Sequence, residues 1–372
     1  VAVAVEEGAV PEGADPAGPA RRRVRLTVPV PRPRRWSPDD PHLYDLTLRY
    51  GSDAVHSYTA FRTVEVAPDA HGVFRFLLNG EPLLLRGVLD QGYWSDGLMT
   101  APSDEALAFD IQAMREAGFN MLRKHLKVEA DRWYYHCDRL GMLVWQDMVN
   151  GGGAYGSWET SFRPTLWRGS WGDYDDCDPE HQAKLGAGSE RYRDQWRRAC
   201  RATVDHLRNH PSVVCWVLFN EGWGQFDAAL ATEAVRRADP TRVVDAVSGW
   251  YDQGCGDFLS VHNYFRKLKV YADGAALRGR AAERGGRAFA ISEFGGATFR
   301  VEDHSAFAES YGYDSFDDVG AWRAAVRRTL EEAAALEGDG LAGYVYTQLS
   351  DVEEEVNGIL TYDRKVNKLA SP

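Results

Sequence analysis

Two glutamates, Glu221 in FNEGWG (Phe219 to Gly224) and Glu293 in ISEFGG (Ile291 to Gly296), each close an apolar run and open onto glycine or an aromatic. Apolar runs such as VVCWVLFN and AFAIS are typical of fully buried strands. Both carboxylates are therefore expected at strand ends. A pair presented in this way suits glycoside hydrolysis, where one acid protonates the leaving oxygen and one carboxylate meets the developing oxocarbenium ion. Glu221 is read as the acid/base and Glu293 as the nucleophile, although the residues alone do not say which is which. The acid must hold its proton near neutrality and the nucleophile must stay ionised. One strand-end glutamate would be better explained as an arginine partner; two favour catalysis. Asn220 can hydrogen-bond a sugar hydroxyl, and Gly222 permits close backbone approach.

The elements that must carry these residues alternate. Strands are expected at 83–89, 120–125, 142–147, 213–219, 242–248, 258–262, 287–292 and 342–347. Amphipathic helices fit at 103–117, 129–140, 189–208, 225–238, 267–280 and 318–336. This is the pattern of a (β/α)8 TIM barrel, an α/β fold whose functional groups lie at the C-terminal strand ends. Glu221 then follows strand four and Glu293 strand seven. Earlier, Val24 to Val66 alternates in the β manner between Pro and Gly turns, and Asn79-Gly80 marks a hairpin. Three segments are expected: 1–23, loose; 24–67, a partial immunoglobulin-like β-sandwich; 68–372, the barrel. The Gly- and Trp-rich stretch Met148 to Gly188 is expected to form a site-lining loop, because loops this long are usually functional.

A formal net charge of −12 argues against nucleic acid, whose phosphates recruit Lys and Arg. No stretch is apolar enough for a membrane helix. The 12 Trp, 17 Tyr and 15 Phe lean weakly toward sugar stacking. Five scattered cysteines without metal spacing read as buried thiols and favour a reducing, cytoplasmic setting. The chain opens on Val1 in what reads as mid-domain sequence, so secretion stays open and a fragment of a longer product is expected. The partial sandwich would then expose an edge and lower solubility. The oligomeric state stays open.

FNEGWG, ISEFGG, GFNMLRKH (Gly118 to His125) and YTQLSDVEEEVNG (Tyr346 to Gly358) resemble glycoside hydrolase family 2, which holds β-galactosidases, β-glucuronidases and β-mannosidases. WSPDDPHLYDLTL (Trp36 to Leu48) resembles the end of that family's immunoglobulin-like domain. The resemblance covers about residues 24–366. It implies retention of anomeric configuration, with Asn220 and Glu221 on strand four and Glu293 on strand seven. His125 resembles a sugar-contacting histidine, but RKH is shorter than the RxxH of many members, and a structural histidine is nearly as good a reading. Tyr264 in SVHNYF stands where members often carry a tyrosine bonded to the nucleophile; core packing is the alternative. His262 is a weaker candidate of the same kind.

Asp90, Gln91, Tyr93 and Trp94 after strand one, Asp147 after strand three, Trp250 and Asp252 after strand five, and Tyr346 and Gln348 at strand eight are further candidates for the sugar-binding rim. Any one of them alone could be structural. Some relatives carry a tryptophan near Gln348. No cofactor and no metal are expected. The acidic run Asp173 to Glu180 lacks calcium-loop spacing, and the run Glu353 to Glu355 reads as a solvated face. β-Glucuronidases of the family carry an Asn-x-Lys motif for the substrate carboxylate. Here that stretch reads EEEVNG, and acids would repel a uronate. The expected activity is exo-acting and β-galactosidase-like on a carbohydrate substrate. The competitors are β-glucuronidase or β-mannosidase specificity, an endo-acting β-glucanase, and a non-catalytic carbohydrate-binding fragment. A phosphate-substrate aldolase barrel ranks lowest, since strand seven ends in Glu293.

Overall fold

The computed structural model describes residues 4–8, 23–167, 170, 172–271 and 285–370. Residues 1–35 and 36–372 form two compact units. In the first, β1 (Ala4–Gly8) pairs antiparallel with β2 (Arg23–Thr27), Ala4 opposite Thr27 and Gly8 opposite Arg23. The loose segment expected over 1–23 is therefore corrected at residues 4–8. There the inter-strand ladder satisfies backbone groups that composition left without a partner.

In the second unit, β3 (Tyr44–Tyr50) and β4 (Asp53–Thr59) form an antiparallel pair. Sandwich strands thus precede the barrel, and every residue from Asp45 to Tyr50 is exposed. The division into units falls at residue 35 rather than at 67, and polar anchors explain why. Tyr58 donates to Asp138 Oδ2 at 2.6 Å, and Arg62 donates to the carbonyls of Pro211, Val213 and Thr241. These contacts tie the β3–β4 region to the start of the barrel strands. A small antiparallel sheet follows: β5 (Val64–Pro68), β6 (Phe74–Leu78) and β7 (Glu81–Pro82). Asn79 and Gly80, at φ +58 and +87, make its hairpin turn; both central residues of such a turn need positive φ.

The barrel strands are β8 (Leu85–Asp90), β9 (Met121–Lys124), β10 (Leu143–Asp147), β11 (Val213–Asn220), β12 (Val243–Ser248), β13 (Phe258–Asn263), β14 (Ala288–Gly295) and β15 (Leu341–Thr347). All adjacent pairs run parallel, in the order β12-β11-β10-β9-β8-β15-β14-β13. The remaining seam is bridged by Ser260 of β13, which donates to Asp245 of β12. Apolar residues fill both faces of these strands, as a parallel sheet covered on each side requires.

The helices are α1 (Asp104–Glu116), α2 (Asp131–Leu140), α3 (Arg163–Leu166), α4 (Pro179–Lys184), α5 (Glu190–Leu207), α6 (Ala228–Ala238) and α7 (Val319–Ala335). Their ends follow from side-chain caps. Ser103, Ser189 and Asp318 each accept a backbone N–H of the first turn of α1, α5 and α7, a contact worth about 1 kcal/mol. The helix expected over 267–280 is not formed at 267–271, and its remainder lies outside the described residues. The Met148–Gly188 stretch holds a π-helical turn (Trp158–Phe162), α3 and α4. No helix among the described residues is long and apolar enough to cross a membrane.

Candidate active site

β11 leaves the barrel at Asn220, and the chain then turns sharply. Glu221 and Gly222 have φ of +50 and +75. Left-handed backbone is strained for glutamate. It persists here because the Glu221 N–H donates to Ser248 O at 2.9 Å and the Trp223 N–H to Asn220 O at 2.8 Å. The turn aims Glu221 into a cleft of about 510 Å³ that Glu293, at the end of β14, also faces. One oxygen of each carboxylate lies within 4.8 Å of the other.

The two glutamates have different surroundings. Glu293 Oε1 is 3.0 Å from Arg123 Nη1, and Glu293 Oε2 accepts a 2.5 Å hydrogen bond from the Tyr264 hydroxyl. Burial and the charge of Glu293 push the Tyr264 phenol well above its usual range, so it stays a donor. Among the described residues Glu221 has no cation in direct contact; its near partner is His262, with Nδ1 at 2.8 Å from Oε1. Burial drives His262 down to about 3, so the ring is neutral. Burial also pushes Glu221 up to about 7; His125 and Arg123 oppose the rise and Glu355 adds to it.

His262 sits behind the pair. Its Nδ1 is 3.5 Å from Glu293 Oε2, and its Nε2 is 2.9 Å from Ser248 Oγ, which bonds onward to Ser292 Oγ at 2.8 Å. Gly249 makes room for the ring, since a Cβ there would come within 2.9 Å of His262 Nδ1. Arg123 is fully buried. Its Nε and Nη2 fork onto Asp147, and Nη2 also donates to Asn220 Oδ1 at 2.8 Å. Among the described residues the buried Asn220 Nδ2 has no hydrogen-bond partner. The donor atoms of Glu221, His262 and Glu293 are close enough to hold a metal ion, but Arg123 already brings positive charge to Glu293.

Of the residues expected from sequence, Glu221, Glu293, Asn220, His125, Tyr264 and Trp250 line the cleft, with Gln91. Trp250 is anchored by its Nε1 to Thr160 O at 3.0 Å. Asp147 lies beneath the wall, held by Arg123 and His125. Burial raises its carboxyl, yet the Arg123 charge and the contact with His125 together hold it below its usual value. His262 is likewise beneath. Asp90 is occupied elsewhere, 2.7 Å from Lys124 Nζ. Asp252 is paired with Arg287, and Trp94 packs under the Arg364 guanidinium. Tyr346 is buried against Phe294 and is absent from the cleft, whereas its neighbour Thr347 faces it. Successive strand residues point to opposite faces.

Sequence reasoning passed over Arg123, Trp223, Tyr313 and Thr347. Two adjacent charged residues, Arg123 and Lys124, in a four-residue buried strand were the available signal for Arg123. The solvated face expected for Glu353 to Glu355 holds for the first two but is corrected at Glu355, which lines the cleft.

The model of glycosyl hydrolases family 2, TIM barrel domain, matches residues 73–298, and that of glycosyl hydrolases family 2 matches residues 3–62. The chain belongs to glycosyl hydrolase family 2. A β-galactosidase from Psychromonas ingrahamii is 28% identical over 252 residues, which are 66% of this chain and 21% of that protein. A β-galactosidase from Pectobacterium atrosepticum is 31% identical over 252 residues, again 66% of this chain and 21% of the relative. The chain thus spans about a fifth of the length of these relatives. Among solved structures, a Parabacteroides merdae β-glucuronidase aligns with TM-score 0.67 and 18% identity, over 93% of this chain and 44% of its own. A family 2 β-galacturonidase from Eisenbergiella tayi aligns with TM-score 0.66 and 17% identity, over 94% and 60%. At these identities the likeness is one of fold.

Proposed function

We propose that this chain carries the catalytic centre of a retaining, exo-acting β-glycosidase of β-galactosidase type. The observation that carries the reading is the contrast between two carboxyls whose oxygens lie within 4.8 Å: one dehydrated and pushed up to about 7, one bonded to an arginine and a tyrosine. Retaining enzymes hold the two carboxyls about 5–5.5 Å apart and split acid and nucleophile roles by environment.

On this reading Glu293 attacks the anomeric carbon while Glu221 gives its proton to the departing oxygen. The C–O bond to the aglycone breaks as the ester to Glu293 forms. Glu221, now ionised, takes a proton from water, whose oxygen displaces Glu293 and restores the starting state. Arg123 and Tyr264 orient Glu293. The unpaired Asn220 Nδ2 serves as donor to the hydroxyl next to the anomeric carbon, a contact that strengthens in the transition state. The names of the two sequence relatives described above support a galactoside; the structural neighbours named for uronides support only the fold.

The test is hydrolysis of nitrophenyl β-galactoside, β-glucuronide, β-mannoside and β-glucoside by the parent and by Glu293→Ala, with the first-formed anomer read by NMR. Galactoside turnover that gives the β-anomer and vanishes in the variant is expected. An α-anomer, or activity surviving in Glu293→Ala, overturns the mechanism.

A further inference from the structure

Behind the acid runs a line of hydrogen bonds that the mechanism does not use. The His262 side chain of β13 is fully buried, and Ser248, at the end of β12, and Ser292 of β14 have no exposed surface. His262 Nε2 lies 2.9 Å from Ser248 Oγ, the Ser248 hydroxyl donates to Ser292 Oγ at 2.8 Å, and Ser292 Oγ donates to the Val261 carbonyl at 3.5 Å. On the other side of the ring, Nδ1 is 2.8 Å from Glu221 Oε1.

Counting protons along this line fixes its direction. A hydroxyl has one proton to give. Ser292 gives its own to a carbonyl, which can only accept, and Ser248 gives its own to Ser292. Toward His262, Ser248 can therefore only accept, so ring Nε2 carries the hydrogen. A neutral imidazole has a single N–H, and burial keeps this ring neutral. Nδ1 is then a bare lone pair. At 2.8 Å it would face a lone pair of Glu221 Oε1 unless a proton lay between them. The ring has none left to give, so the proton belongs to Glu221. Glu293 Oε2 is farther from the same Nδ1, at 3.5 Å, and already accepts from Tyr264.

We propose that Ser248 and Ser292 are positioning residues, which fix His262 as the Nε2–H tautomer so that its bare Nδ1 holds the acid proton on the oxygen of Glu221 that faces the ring. The inference rests on the glycosidase reading above. Run the other way, the same atoms would do the opposite: an Nδ1–H would donate to Glu221 and favour its ionised form. For donation the carboxyl turns about its Cγ–Cδ bond, which brings the protonated oxygen toward the leaving group. Once ionised, Glu221 faces a lone pair rather than a donor, which makes it the stronger base when water enters. The rise of Glu221 to about 7 through burial acts in the same direction. The other charged and titratable groups around the pair are Arg123, His125, Asp147, Glu293 and Glu355, with the phenols of Tyr155, Tyr264 and Tyr313. All of them stay in place in the serine variants below, so a change there reports on the serines.

The tautomer is read by NMR of the ring nitrogens in protein carrying isotope-labelled histidine, with His262→Gln to assign the signal. At about pH 6, below the loss of the acid proton, the parent should show hydrogen on Nε2 and none on Nδ1. In Ser292→Ala the Ser248 proton loses its acceptor and turns to Nε2, so the ring hydrogen should move to Nδ1. The basic limb of kcat/KM on nitrophenyl β-galactoside should then move to lower pH by about one unit, the worth of one hydrogen bond. Ser248→Ala removes the acceptor of Nε2–H itself and should move both readings the same way. A parent with hydrogen on Nδ1, or a limb that stays within about 0.2 units in both variants while the rate merely falls, overturns the proposal. If the parent turns over no glycoside, the glycosidase reading alone fails. The proposal is then judged on the pH at which the Nδ1 signal responds to Glu221, which should fall in both variants; an unmoved inflection overturns it.

Discussion

Replacing Arg123 with methionine tests how the wall of the cleft is held together. The guanidinium has no exposed surface and sits 3.0 Å from both Asp147 and Glu293. Methionine keeps the stem and removes the charge, leaving two carboxylates without their shared cation. Removing one partner of a buried ion pair costs about 3–5 kcal/mol. The sign of the pH dependence follows from Asp147. In the parent its carboxyl lies below the usual value, because Arg123 and His125 outweigh burial. That contribution to stability is present above about pH 4 and is lost as pH falls through the folded value. In Arg123→Met the main opposing charge is gone and burial raises Asp147, so stability instead falls as pH rises. The gap between parent and variant should therefore widen from pH 5 to pH 8 in urea titrations. Adding Asp147→Asn should recover at least about 1 kcal/mol at pH 8, since the uncompensated charge is then absent. A gap below about 1 kcal/mol, or one that does not move with pH, would refute the argument that Arg123 offsets these buried charges.

Three further outcomes follow from the same environments. The parent's kcat/KM should fall above about pH 7, as Glu221 with its carboxyl near 7 loses the proton it must donate; a rate flat to pH 9 contradicts this. Glu221→Gly should abolish turnover yet raise stability by about 1 kcal/mol, since φ +50 is strained for glutamate and not for glycine; unchanged or lower stability at denaturant midpoint contradicts it. Burial pushes Asp245 up to about 7, above its unfolded value near 4, so its contribution is intact below pH 4 and lost as pH rises toward 7. Asp245→Asn should consequently gain stability relative to the parent between pH 4 and pH 8, and a difference constant across that range counts against it.

The barrel was legible because its strands are buried on both faces and so read as unbroken apolar runs. The strand ends were legible for the same reason, which placed Glu221 and Glu293. What sequence could not give was the pleat. Tyr346 and Thr347 are neighbours, yet only the second faces the cleft, and a register difference of one residue exchanges the faces. Asp90 and Asp147 end strands as expected, but each finds a cation within 3.0 Å and is held by it. Three consecutive glutamates, Glu353 to Glu355, carry no mark of which one turns inward. That is set by the bridge from Val352 to Glu355 and by the backbone of Tyr311, far off in sequence.

On the proposed reading, the roles of the two glutamates follow from what stands behind each rather than from the residues themselves. Arginine and tyrosine behind Glu293 donate three N–H or O–H contacts to it and its own strand: Arg123 to its Oε1 and to Ser292 O, Tyr264 to its Oε2. These donors hold both carboxylate oxygens of Glu293 in place. Behind Glu221 stands a histidine that burial keeps neutral, and burial of the acid outweighs the opposing pull of His125 and Arg123. Exchanging the sequence positions of the glutamates would change nothing in composition or spacing. Exchanging their neighbours would reverse the chemistry. Under the proposed reading, His262→Arg should therefore do more harm than His262→Gln: a fixed positive charge beside Glu221 Oε1 would pull its carboxyl down and move the basic limb of the pH–rate profile to lower pH, a shift that a packing defect alone does not produce.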